Sequence, residues 1–150
     1  MRHLIAGVST ADAAVIVVSA VPNEFDSSQS SKVREHALIA KAFGINQLII
    51  AINKMDVHID QVNYSEVQYN EVKDKMLNTL LKIGYKADRV SFIPVSAWEG
   101  VNLIQDEIGR AGTIPWYKGL TLIESLDKLK APLLLDQKPL RIPLQVLYNI

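Results

Sequence analysis

Apolar positions along the chain follow two rhythms. Three stretches, DAAVIVVSA (Asp12–Ala20), QLIIAI (Gln47–Ile52) and RVSFIPVSA (Arg89–Ala97), are short, rich in β-branched residues and nearly continuous rather than alternating. This is the pattern of strands covered on both faces of a parallel sheet. Between them the spacing becomes helical. SKVREHALIAKAFG repeats Val33, Ala37, Ala40 and Phe43 on one face, and Gly44 is a natural stop. In SEVQYNEVKDKMLNTLLKIG, Ser65 and Gln68 have the form of a capping box, Val72, Met76 and Leu80 supply an apolar stripe, and Gly84 ends it. Strand, helix, strand, helix, strand predicts an α/β fold built on a doubly wound parallel sheet. Beyond Trp116, TLIESLDKL predicts a further helix. Prolines at 132, 139 and 143 then mark a linker into an edge-type strand around Leu140–Tyr148, with no following strand to pair with.

The second strand raises a chemical question, because Leu48–Ile52 runs directly into Asn53-Lys54-Met55-Asp56. In open α/β sheets, ligands sit outside the carboxyl ends of the strands. Right-handed crossovers bring Asn53–Asp56 and the next strand end, Ser96-Ala97-Trp98, to the same rim. A carboxylate at Asp56 has two acceptor oxygens, which match the adjacent ring N–H and exocyclic amino donors of guanine. Adenine presents an acceptor there and would leave buried polar groups unpaired. Asn53 can offer its amide to the other side of the base and tie down the loop. Lys54 can lay its methylene stem over one base face with its ammonium in water. Trp98 either packs on its own loop or covers the second face, where stacking is worth roughly 1–3 kcal/mol. The backbone N–H of Ala97 is placed to meet the guanine carbonyl oxygen.

Composition narrows the classes. Sixteen basic residues offset sixteen acidic ones, so net charge gives no argument for DNA or an anionic membrane as a partner. With 150 residues, 49% of them hydrophobic, the chain has material for a core of its own. The absence of cysteine removes disulfides and thiol chemistry and is compatible with a reducing compartment. No apolar run approaches the ~18 residues of a membrane span. The opening twenty residues loosely mimic a secretory leader, but Asp12 splits the apolar stretch, which leaves the cytoplasm as the expected location. His3, His36 and His58 are isolated, with no second ligand at metal spacing, so no metal site is expected. Trp116 and Tyr117 read as packing residues, Lys73-Asp74-Lys75 as a solvated helix face, and Ser27–Ser31 as a loop.

The NKMD segment with SAW some forty residues later resembles the guanine-specificity pair of the translational GTPases, the elongation factor 1-alpha family in particular. STADAAVIVVSA, REHALIAKAFGINQLIIAINKMD, KIGYKADRVSFIPVSAWEGVNL, PWYKGLTLIESLD and KPLRIPLQVLY resemble that family in the same order. The resemblance implies that residues 1–131 are the C-terminal part of a GTP-binding domain and that 132–150 begin a following β-barrel domain. On that reading, Met1–Asp12 is the remainder of a helix that follows a switch segment. It implies GTP or GDP as ligand, held by Asn53, Lys54, Asp56, Ser96, Ala97 and Trp98, with Mg2+ only in the complete family member. It also implies aminoacyl-tRNA, the ribosome and a nucleotide exchange factor as partners. The class II release factors and ribosome-rescue GTPases share much of the pattern, and PLRIPLQVLY favours the elongation factor.

Two departures accompany the resemblance. EFDSSQSSKVREH is shorter than the family's loop and lacks its glycines, and VNLIQDEIGRAGTIPWYKG differs as well. Both are surface positions that bear on partners more than on fold. The 150 residues contain no G-x-x-x-x-G-K-[ST] phosphate loop. Asp106-Glu107-Ile108-Gly109 has the letters of a D-x-x-G motif, but it follows the guanine motif where the family's precedes it, and it is read as coincidence. No catalytic residue is therefore expected here, nor GTP turnover by this chain alone, since hydrolysis needs phosphate, metal and water positioned together. Base contacts alone should bind in the millimolar range, on the order of −4 kcal/mol. An exposed sheet edge and part of an apolar face are also expected. A degenerate, non-enzymatic interaction fragment is the reading from a different class.

Overall fold

The computed structural model describes residues 2–25, 30–58, 62–104, 113–131 and 139. Helix α1 (Arg2–Val8) leads into strand β1 (Ala13–Ser19), the single-turn helix α2 (Pro22–Glu24) and helix α3 (Ser30–Ala42). Strand β2 (Gln47–Asn53), helix α4 (Glu66–Ile83), a 3-10 turn (Ala87–Arg89), strand β3 (Val90–Pro94) and helix α5 (Leu122–Asp127) follow. The strands form one parallel sheet in the order β1-β2-β3, with Val15 opposite Ile49 and Ile50 opposite Phe92. The α/β parallel sheet expected from the sequence is thus present. The strand expected at Leu140–Tyr148 and the Asp106–Gly109 tetrapeptide lie outside the described residues.

The period-two pleat divides the core. Leu48, Ile50 and Ile52 face α3 and α4, joining Ile16, Val18, Val33, Ala37, Ala40, Tyr69, Val72, Met76 and Leu80 in the larger cluster. Ile49 and Ala51 face the other way, with Ile93 and Val95, and are covered by Leu103, Tyr117, Leu122 and Leu129 from the α5 side. Strand β2 is therefore buried on both faces, as its unbroken apolar run requires. Strand β1 is not. Its second face carries Val15 and Val17, the latter 60% exposed, because α5 packs over β2 and does not reach the edge strand. This corrects the expectation of three strands covered on both faces and agrees with the expected exposed edge.

Helix ends follow local chemistry. Ser65 Oγ accepts from the N–H of Gln68, and Gly84, at φ +102°, closes α4 with its N–H on Leu80 and Leu81. The reciprocal half of the expected capping box is absent, since Gln68 Nε2 instead donates to the carbonyl of Ala20 at 2.8 Å. The complete box occurs at α5, where Thr121 and Glu124 cap each other. Phe43, expected in the α3 stripe, is 47% exposed: it follows Ala42, the last helical residue, and has left the helical face. Strand β3 is shorter than expected, because Arg89 belongs to the preceding turn and Pro94 cannot continue the ladder as a donor.

Because Leu80 is fully buried, Leu80→Ala should cost about 2–5 kcal/mol in a urea unfolding experiment. Val17→Thr, on the open face of β1, should change stability by no more than about 0.5 kcal/mol.

Candidate functional site: two loops at the carboxyl ends of the strands

Strands β2 and β3 end at one rim, and the ladder continues into their loops. Val95 N–H donates to the Ile52 carbonyl at 2.8 Å, and Met55 N–H returns to the Val95 carbonyl at 3.3 Å. On the other side, Ala20 N–H donates to the carbonyl of Asn53 at 2.8 Å. All six residues singled out in the sequence are brought to this rim.

Asn53 ties the loops together, its Oδ1 accepting the N–H of Ala97 at 3.0 Å. The Ala97 N–H expected to face a base carbonyl is therefore engaged within the protein. Lys54 sits at φ +66°, a left-handed conformation that turns the chain sharply after the strand. Its ammonium is paired with both carboxylate oxygens of Glu24 at 2.7 Å, which anchors it at the end of α2 while the pair stays exposed to solvent, as the sequence led one to expect of the ammonium. Lys54, together with Ser19, holds the Glu24 carboxyl below its usual range. Met55 faces inward and is fully buried, which leaves Asp56 on the outer side of the turn. Among the described residues, no donor bonds to the Asp56 carboxylate.

Ser96 is fully buried, and its Oγ accepts the N–H of Glu99 at 3.1 Å. Ser96 pairs with Val101 across a tight antiparallel bridge, with Gly100 at φ +76°. Trp98 stands near the tip, 92% exposed, and does not pack on its own loop. Behind it, Asn102 is buried at φ +61° and donates through Nδ2 to the Pro94 carbonyl at 2.8 Å. Its backbone carbonyl accepts from Leu122 at 3.1 Å, which fastens the hairpin to α5.

Sequence reasoning missed three supporting residues: Glu24, Asn102 and Tyr64. Tyr64 donates its hydroxyl to Glu99, its N–H to the Met55 carbonyl at 2.7 Å, and accepts Trp116 Nε1 on its own carbonyl at 2.9 Å. The only sequence signal was Tyr64's place immediately before the Ser65 cap. Trp116 and Tyr117 pack with Tyr69 in an aromatic cluster, as their reading as packing residues anticipated. A cleft lined by Lys41, Gln47, Lys86, Arg89 and Lys130 opens at the opposite rim, away from these loops.

Residues 1–132 match the elongation factor Tu GTP binding domain family. The chain belongs to that family. Within it, the chain is 48% identical to elongation factor 1-alpha of Desulfurococcus mucosus and 45% identical to that of Aeropyrum pernix, in each case over all of this chain and 33% of the relative. It is 44% identical to elongation factor 1-alpha of Plasmodium falciparum over 32% of that protein. It thus spans about a third of the length of the curated relatives it matches. A solved structure of sup35 complexed with GDP superposes with a TM-score of 0.70 at 38% identity, covering 82% of this chain and 30% of that one. The rim presents one carboxylate with no donor on it among the described residues, Asp56, one exposed aromatic ring, Trp98, and one amide, Asn53. No group of three His, Asp or Glu side chains converges among the described residues. No helix among them is long and apolar enough to cross a membrane.

The Lys54–Glu24 pair sets a pH dependence. The Glu24 carboxyl is depressed in the folded state, so the pair's contribution is complete above the ordinary value of 4.5 and is lost as pH falls through the folded value. Glu24→Gln should therefore lower the denaturation midpoint at pH 7, and its difference from the parent chain should shrink as pH falls below 4.5. A constant difference across that range would contradict the assignment.

Proposed function

We propose that this chain carries the guanine-reading part of a GTP/GDP site, and that its complete form is an elongation factor GTPase delivering aminoacyl-tRNA to the ribosome. The observation that carries the reading is the convergence of the Asn53–Asp56 and Ser96–Trp98 loops at one sheet rim, tied by the 3.0 Å bond from Ala97 N–H to Asn53 Oδ1. The identity to elongation factors 1-alpha supports it, as does the likeness to sup35, a protein solved with GDP.

In this reading Asp56 accepts from the ring N–H and amino group of guanine, and no donor among the described residues takes either oxygen from the base. Trp98 covers one face of the ring, and its exposure before binding is the state such a lid requires. The stem of Lys54, with its head fixed by Glu24, is presented to the other face. The base carbonyl can share the Ala97 N–H with Asn53 or displace Asn53 from it. In either case base binding and the tie between the loops are coupled. The complete protein takes Mg2+ with the phosphates, exchanges nucleotide with the help of an exchange factor and works in the cytoplasm.

Equilibrium binding of guanosine and adenosine to the purified chain tests the base-reading role. Guanosine should bind in the millimolar range and adenosine should not be detected. Asp56→Ala should weaken guanosine by at least about tenfold, the loss of a charge-assisted pair of hydrogen bonds. Equal binding of the two nucleosides, or an Asp56→Ala chain that binds as the parent does, would contradict the proposal.

A further inference from the structure

We propose that Tyr64 is a positioning residue of the base site: its hydroxyl latches the Asp56 loop to the Trp98 loop through Glu99, and thereby sets both the affinity for guanine and the preference for guanine over bases that lack its amino group. This inference rests on the reading above that the two loops hold guanine.

The Trp98 hairpin has little to hold it. Its tip is a turn of four residues, Ala97 to Gly100, and the largest side chain in it is almost entirely in solvent. Among the described residues, the bonds that cross from it to the β2 loop are that of Ala97 N–H to the Asn53 side chain at its root and those of the Tyr64 hydroxyl, with Ser96 at the root and with Glu99 nearer the tip. Two attachments on either side of Trp98 fix its direction, whereas one would let it swing.

Tyr64 is built to hold this position. Its backbone lies at φ +55°, a strained conformation for a bulky residue, which persists only when the surroundings over-determine it. They do so here. The N–H is bonded to Met55, next to Asp56, the carbonyl is bonded to the indole of Trp116, and the ring packs at the edge of the larger core cluster. One residue therefore touches both sides of the base site, Met55–Asp56 by its main chain and Ser96–Glu99 by its side chain. The Ser96 hydroxyl also bonds to that phenol, and the Asp56 charge acts on it. Burial, reinforced by Glu99, holds the Tyr64 phenol well above its usual range, so it remains a donor over the whole working pH range.

The test uses the whole chain with Tyr64→Phe, which keeps the ring and removes the hydroxyl. Without ligand, amide exchange at Ala97 and Glu99 should accelerate about tenfold, while exchange in β2 stays at the parent rate. Guanosine affinity should fall about fivefold, the scale of one lost hydrogen bond, and the preference for guanosine over inosine should shrink. Glu99→Ala should reproduce both effects, Glu99→Gln should restore most of them by keeping an acceptor oxygen, and Tyr64→Phe with Glu99→Ala should be no worse than either alone. Parent-like exchange at Ala97 and Glu99 in Tyr64→Phe, or additive losses in the double variant, would overturn the latch. A parent chain that binds no guanosine would remove the functional reading and the affinity part of this one, while the exchange comparison still decides whether the latch exists.

Discussion

The structure depends on the burial of β2 on both faces. A parallel strand can be continuous in apolar residues only if a layer covers each side, and Leu48–Ile52 meets that condition, with α3 and α4 on one face and α5 on the other. Because β1 and β3 pair with β2 in parallel, all three strands finish at the same rim. The rim is thus a consequence of the core. Polar residues at the ends of β2 and β3 converge there without long loops to carry them, and short connections from rigid strands place a side chain more closely than long ones do.

What the rim residues do follows from how each is occupied. Asn53 Oδ1 and the Lys54 ammonium are engaged by protein partners, Ala97 and Glu24 respectively, and both contacts fix loop shape. Asp56 and Trp98 are left facing outward, one as an acceptor and the other as an apolar plate. A flat ligand with two adjacent donors satisfies both at once. The N–H of Ala97 closes the two loops on each other through Asn53, and on the proposed reading a base carbonyl would compete for it.

Much of this was legible in the sequence, for physical reasons that differ by residue. Leu48–Ile52 announced a doubly covered strand because burial on both faces removes the polar alternation. The place of Asn53, Asp56 and Ser96 at one rim was readable because parallel strands joined by right-handed crossovers end on the same side. Gly84 marked the end of α4 because the left-handed cap there favours glycine. The exposed face of β1 was legible only as an edge effect, since Val15 and Val17 look the same in sequence whether or not a helix covers them. Gln68 kept the letters of a capping box while turning its side chain to Ala20, a partner 48 positions away. Glu24, Tyr64 and Asn102 escaped notice because their roles rest on contacts with Lys54, Glu99 and Pro94 that no local spacing encodes. Phe43 was misplaced by a single position beyond the helix end, where the 3.6-residue period no longer applies.

A proton–nitrogen NMR titration of the chain with guanosine, GDP and ATP tests the central claim most directly, since it reports folding and site occupancy together. The account predicts dispersed peaks, with shifts for guanosine and GDP confined to Asn53–Asp56, Tyr64 and Ser96–Glu99, and none for ATP. Shifts spread over the opposite rim around Lys86 and Arg89, or identical responses to GDP and ATP, would contradict it.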